Sequence, residues 1–220
     1  MIILSIDTID SHCKVCLSKN SHILSYKIIP LNKGHAEFLL PLIEQLINAS
    51  KISLTDINLI SVNIGPGSFT GIRVGVSVAR ALSLGLKCSV MGISLFDLLA
   101  YDMTLQDASV TDLLVVLPSN KADFYVANYI FDQKYKILQL KNKPLLLADI
   151  EEIKLLITNS NNIMVLNKDD NIFTQIKANY FTPTTNNFIL HQANLAYITP
   201  IEYRQSALPL YMREPDAKYK

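Results

Sequence analysis

Gly65, Gly67 and Gly71 offer this chain's best opening for chemistry. They follow an apolar run, Leu59 to Ile64, that reads as a buried strand. Gly65-Pro66-Gly67 cannot continue a strand. Ser68 and Thr70 then supply N-cap oxygens for an amphipathic helix running to about Gly85, a C-cap residue. A strand–glycine loop–helix unit aims backbone N–H groups at whatever sits above it, and the helix dipole favours an anion there. Phosphate contact and a purely structural tight turn both remain open. The loop is not a P-loop, because no Gly-Lys-Ser/Thr follows, and its glycines stand one residue too far apart for the dinucleotide fingerprint.

The helix after the loop carries a second pattern. Gly71, Gly75, Ala79 and Ser83 recur every four residues and share one face, with Ser77, Ala81 and Gly85 as a neighbouring row. A face without side chains admits another backbone. It serves either tight packing on the protein's own sheet or a helix–helix contact with a partner.

Other candidate groups are isolated. Cys13-x-x-Cys16 lies in an alternating stretch, where positions i and i+3 point to opposite faces, and only Cys88 remains elsewhere. The pair reads as ordinary small, partly buried cysteines rather than a redox or zinc site. No Gly-x-Ser-x-Gly elbow occurs, and no carboxylates stand at a spacing suited to acid–base work. His12, His22 and His191 have no cluster around them.

The run GPGSFTGIRVGVSVARAL, Gly65 to Leu82, closely resembles the signature of the bacterial TsaB (YeaZ) family. That family is the non-catalytic paralogue of the tRNA threonylcarbamoyltransferase TsaD. IILSIDTIDSHCKVCL at the N-terminus is similar to the family's first hairpin. Gly34 to Leu40 resembles the start of its first helix, and Pro209 to Lys218 its C-terminus. The resemblance covers the first ~100 residues well and the middle poorly. It implies an actin-like ATPase (ribonuclease H-like) α/β fold. It also implies an adapter that binds TsaD and, with the ATPase TsaE, supports transfer of a threonylcarbamoyl group to adenosine 37 of tRNAs reading codons that start with A. ATP and a metal ion would then sit on partner subunits and tRNA would bind only through the complex. A homodimer could form when the chain is alone.

The same resemblance assigns residues. Asp7 and Thr8 stand where the actin-like fold places an acidic residue that serves the metal–phosphate end of a nucleotide. Together with Gly65, Gly67 and Ser68 they form a vestigial phosphate site. Asp7 reads alternatively as a strand terminator accepting turn hydrogen bonds, the favoured role because no other phosphate-site element is strong. In the catalytic paralogue the first helix carries His-x-x-x-His, a metal-binding pair on one helical face. Here His35 is followed by Leu39, so a metal cannot be held from this helix. His35, Phe38, Leu39, Gly71, Arg73, Gly75 and Ala79 become the expected partner interface. Relatives usually carry an Asp-Ala-Arg-type turn where this chain has Pro118-Ser119-Asn120-Lys121-Ala122-Asp123-Phe124-Tyr125. The competing class is an independent enzyme of the superfamily, a metallopeptidase-like hydrolase or a small-molecule kinase.

The positioning elements follow from pattern. Strands are expected at Ile2–Ile6, Lys14–Leu17 and Ile23–Ile29, and a helix over Ala36–Asn48 with Phe38, Leu39, Leu42, Ile43, Leu46 and Ile47 as its apolar stripe. Cys88–Ile93 reads as a strand, and Ser94 caps a helix to about Tyr101. The polar stretch Asp102–Asp112 is the expected boundary between two lobes, 1–103 and 104–220, each a mixed sheet with packed helices. Beyond it come strands at Leu113–Leu117, Asp123–Phe131, Tyr135–Lys141 and Met164–Leu166. Helices start at Asp149 and Asn186, and the second half repeats the first in outline. A chain of 220 residues can bury a good core. The net charge of +1 argues against an independent nucleic-acid binder. No apolar run approaches ~20 residues, and the N-terminus is too short for a secretory h-region, so a cytoplasmic protein is expected.

Overall fold

The structure, a computed structural model, describes residues 1–31, 33–119, 123–147, 150–166, 179–185 and 187–212. It divides into two compact units, Met1–Leu95 with Asn187–Tyr211 and Phe96–Asn186. The expected boundary at 103/104 therefore moves to Leu95/Phe96, and the last helix belongs to the first unit. Asp102, taken as the start of a polar linker, is fully buried in a helix. There it accepts from the Thr184 amide at 2.9 Å and from the Thr184 hydroxyl.

In the first unit, β1 (Ile2–Asp7), β2 (His12–Lys19) and β3 (His22–Pro30) form an antiparallel meander. β4 (Leu59–Asn63) and β5 (Ser89–Ile93) add in parallel, giving the order β3-β2-β1-β4-β5. Alternation decides which side each residue serves. Leu4, Ile6, Val15, Leu17, Ile60 and Val62 face a core closed by α1 (His35–Ser50) and α2 (Phe69–Leu86). Cys16, on the other face, packs against Ile189 and Ala193 of α5 (Ile189–Ile198). Cys13 and Cys16 thus lie on opposite faces, as the alternation requires.

The apolar stripe of α1 is buried except at Phe38. Ser68 caps α2, its hydroxyl accepting from the Gly71 amide at 3.2 Å. The expected C-cap, Gly85, lies inside α2, and Lys87 takes the left-handed conformation instead, at φ 53°. By length and composition α2 could cross a membrane, with mean hydropathy 1.2. However, Arg73 and Arg80 interrupt it, and its Gly71–Gly75–Ala79 side packs on the sheet.

The second unit holds α3 (Leu95–Gln106, from Phe96 onward), β6 (Asp112–Pro118), β7 (Phe124–Asp132), β8 (Ile137–Leu140), β9 (Leu145–Leu147), α4 (Ile150–Thr158), β10 (Asn162–Val165) and β11 (Asn179–Phe181). Its sheet runs β8-β7-β6-β10-β11, with β9 also on β7. A three-strand antiparallel meander followed by two parallel strands is the order of the first unit again. Ile153 and Ile157 of α4 pack into the core of this sheet, and the Tyr129 hydroxyl donates to Asp97 of α3 at 2.8 Å. β9 and β11 were not expected, being only three residues each. The 120–122 part of the divergent turn, the helix starts placed at Asp149 and Asn186, and the 213–218 part of the C-terminal resemblance lie outside the described residues.

Candidate functional site

The C-terminal ends of β1 and β4 bring most of the expected site together. Asp7 ends β1 and is paired directly opposite Lys14 of β2. Both side chains are almost fully buried, and Lys14 Nζ lies 3.4 Å from Asp7 Oδ2 and 2.5 Å from Asp10 Oδ2. Asp7 Oδ1 also accepts from the Ile9 amide at 3.1 Å. Burial pushes the Asp7 carboxyl above its ordinary range, more than the Lys14 charge and the Ile9 N–H pull it down. Burial pulls Lys14 down, but the charges of Asp7 and Asp10 and their hydrogen bonds outweigh it, and its net shift is upward.

The glycine loop lies on this turn. The Ser68 amide donates to the Ile9 carbonyl at 2.7 Å, and the Gly65 amide to Asn63 Oδ1 at 3.0 Å. A Cβ on Gly67 would stand 2.6 Å from the Ile9 oxygen. The glycines thus let two backbones touch, and the Gly65 and Ser68 donors are spent inside the protein. A phosphate would meet a cation already shared by two carboxylates. As they stand, these residues do not fit the phosphate end of a nucleotide. Asp7 and Thr8 take the structural role: the Thr8 hydroxyl donates to the Gly71 carbonyl at 2.7 Å, tying β1's end to α2.

That contact corrects the expected partner face. A Cβ on Gly71 would lie 1.9 Å from the Thr8 carbonyl oxygen, one on Gly75 2.5 Å from Thr8 Oγ1, and Ala79 is wholly buried. The Gly71–Gly75–Ala79 row is consumed by packing on the protein's own β1 and β4. Leu39 likewise belongs to the core and presents nothing outward. What α2 exposes is the neighbouring row, Arg73, Ser77, Ala81 and Gly85, with Leu84 83% exposed beside it. On α1, Phe38 and Leu40 are 46% and 50% exposed. His35 anchors the start of α1, with Nε2 3.0 Å from the Asp10 carbonyl. Among the described residues no three His, Cys, Asp or Glu side chains are placed to hold a metal ion.

Sequence reading missed three features. Lys14 is one, although a lysine at an inward position of an otherwise apolar strand was a signal. Gln192 of α5 is the second: fully buried, its Nε2 donates to the Ile6 and Ser61 carbonyls, both at 3.1 Å. The third is a stack at the head of α2, where the Arg73 guanidinium sits 3.8 Å from the Phe69 ring centroid and Nε donates to the Tyr211 hydroxyl at 2.8 Å.

Residues 22–188 match the family model described as TsaD: tRNA N6-adenosine threonylcarbamoyltransferase. Among curated proteins, the chain is 41% identical over 99 residues to the tRNA threonylcarbamoyladenosine biosynthesis protein TsaB of Buchnera aphidicola subsp. Schizaphis graminum, covering 45% of this chain and 47% of that one. It is 32% identical over 137 residues to TsaB of Escherichia coli strain K12, covering 60% and 57%. The chain belongs to this family, and both of these curated relatives carry the name TsaB. Its alignments span about half the length of these curated relatives. YeaZ from Pseudomonas aeruginosa superposes at TM-score 0.69 and 18% identity, covering 96% of this chain and 99% of that one. A ROK family protein from Streptococcus pneumoniae TIGR4 superposes at TM-score 0.56 and 12% identity, covering 90% and 98%. These likenesses carry the actin-like fold.

Proposed function

We propose that this chain is a non-catalytic accessory subunit in threonylcarbamoyladenosine biosynthesis. It acts in the cytoplasm on adenosine 37 of tRNAs reading codons that start with A, by holding a TsaD-type transferase in its active geometry. TsaE would complete the assembly, with ATP and metal on the partners and tRNA bound only by the complex. The relatives named TsaB support the pathway. The observation that carries the adapter role is the outward face of the two helices. Ser77, Ala81 and Gly85 form a flat row on α2 that allows close helix approach, flanked by exposed Leu84, while α1 turns Phe38 and Leu40 outward. The spent donors of the glycine loop and the pairing of the Lys14 ammonium with Asp7 and Asp10 also favour a site that no longer serves nucleotide.

Co-purification with TsaD from the same cell is the direct experiment. Ala81→Glu puts a charge on the exposed row without touching the core, and it should abolish capture while leaving the melting temperature unchanged. Full-strength capture by Ala81→Glu would remove this face as the interface. Titration of the isolated chain with ATP and Mg²⁺ separates the enzyme class: a dissociation constant tighter than about 10 μM, roughly 7 kcal/mol of binding free energy, would favour the kinase-like reading instead.

A further inference from the structure

After α5 the described chain passes through a single 3-10 turn, Ile201–Tyr203, into an irregular stretch, Gln205–Tyr211. It lies across the first unit's sheet at two backbone anchors. The Gly92 amide of β5 donates to the Gln205 carbonyl at 2.9 Å, and the Leu210 amide donates to the Ile64 carbonyl at 2.8 Å. Between these anchors the chain turns on itself, with the Leu208 amide donating to the Ser206 carbonyl at 2.8 Å. Its seat is cut to fit. A Cβ on Gly92 would stand 2.7 Å from the Ser206 oxygen, and one on Gly65 3.3 Å from the Leu210 oxygen. Ala207 is buried, whereas Leu208 and Tyr211 are more than a third exposed. At its far end the Tyr211 ring stacks on Phe69 with centroids 4.8 Å apart, and its hydroxyl accepts from Arg73 Nε.

We propose that Gln205–Tyr211 is a detachable strap, latched at Tyr211, that holds Arg73 folded over Phe69 at the head of α2. The physical case is the contrast between seat and hold. The seat is specific, because two glycines admit the strap's carbonyl oxygens. The hold is light, because only Ala207 is buried and Leu210 packs against the core, while Ser206, Leu208 and Tyr211 stay exposed and the backbone bonds at Gln205 and Leu210 form no continuous ladder. Segments of this kind open locally at a free energy well below that of global unfolding. The latch joins an aromatic stack, a cation over a ring and a hydrogen bond at one exposed point, so it can release without disturbing β1 or β4. Release also moves a charge. Arg73 shares the outward row of α2 with Ser77 and Ala81, so the latched strap keeps its guanidinium off that row and the open strap lets it swing across.

The test is residue-resolved amide exchange on the full chain, for the parent, Tyr211→Ala and Tyr211→Phe. In Tyr211→Ala the Leu210 amide should exchange about tenfold faster or more, while the Leu4 and Ile6 amides of β1 change less than about twofold. The Arg73 Nε–H signal should be protected in the parent. It should lose that protection in Tyr211→Phe, which keeps the ring but removes the hydroxyl. An unchanged Leu210 amide in Tyr211→Ala would overturn the proposal. So would equal acceleration in β1, since Tyr211 would then support the whole unit and not a latch. Ala81→Glu, which tests the partner face, leaves all three probes at their parent values, so the strap and the interface fail separately.

Discussion

Three glycines of one helix should respond to alanine in a fixed order, and the order follows from what each Cβ would meet. An alanine normally gains about 0.5–1 kcal/mol over glycine within a helix. At Gly85 nothing lies within 4 Å, so Gly85→Ala should collect that gain. At Gly71 the new Cβ would stand 1.9 Å from the Thr8 carbonyl oxygen and 3.1 Å from its carbon. These are backbone atoms, and the turn that holds them is pinned by Thr8 Oγ1 to the Gly71 carbonyl and by the Ser68 amide to Ile9. Overpacking into a fixed neighbour costs about 1–3 kcal/mol or more. Gly71→Ala should therefore be net destabilising, and because both variants share the helix gain they should differ by the overpacking term, roughly 1–3 kcal/mol. Gly75→Ala falls between them, because the atom met at 2.5 Å is the Thr8 hydroxyl, which can rotate away at the cost of its hydrogen bond. The assay is thermal and urea unfolding followed by far-ultraviolet circular dichroism, with midpoints compared at a common slope. For a chain of this length each kcal/mol moves the melting temperature by roughly 2–4 °C. A Gly71→Ala protein melting at or above Gly85→Ala would refute the packing of α2 on the Thr8 turn.

The buried charge pair and the buried thiols give two more expectations. Asp7→Ala leaves Lys14 buried with only Asp10 for company and should cost about 3–5 kcal/mol, whereas Asp7→Ala with Lys14→Met should recover most of it; additive single effects in a double-mutant cycle would show that the two side chains do not depend on each other. Burial, with the Asp7 charge adding, pushes the Cys13 thiol up to about 11, and burial pushes Cys16 up to about 12, from an ordinary 9.0. The folded state then keeps protons that the unfolded chain releases, so stability should fall as pH rises from 9 toward 10.5, approaching about 1.4 kcal/mol per pH unit for each thiol. Cys13→Ala with Cys16→Ala should flatten that slope, and an unchanged slope in urea midpoints would show that the thiols are not its source.

Period and punctuation made most of the fold legible. The strands of the first unit carry alternation or continuous apolarity, and α1 and α2 carry a buried stripe, so their type and order could be read within a few residues. What escaped was short or depended on distant partners. β9 and β11 are three-residue strands that exist because β7 and β10 offer an edge, and no local pattern announces such a partner. The unit boundary was misread because Asp102 looks like linker chemistry. Only the fold shows that its carboxylate is needed inside, to accept from Thr184 eighty-two residues away. Gln192 is the same case, since its worth lies in the Ile6 and Ser61 carbonyls that it satisfies from another layer.

The candidate site was legible as a set of residues but not in its orientation, and the reason is a matter of helical phase. Gly75 and Ser77 are two residues apart, about 200° around the helix, so the two small-residue rows of α2 face opposite ways. Spacing finds both rows and cannot say which one looks outward. Residue type helps only at a forced position. A position where a fixed backbone forbids any Cβ must be glycine, and Gly71 is one because the Thr8 carbonyl lies against it. A position facing solvent or a movable partner tolerates a small side chain, and Ser77 and Ala81 have one. Type marks only such forced positions, since Gly85 is exposed with nothing within 4 Å and Ala79 is wholly buried. The same logic separates Gly67, pressed on the Ile9 carbonyl, from a phosphate-binding glycine: a loop whose close approach is already taken by its own backbone has little left to offer an anion.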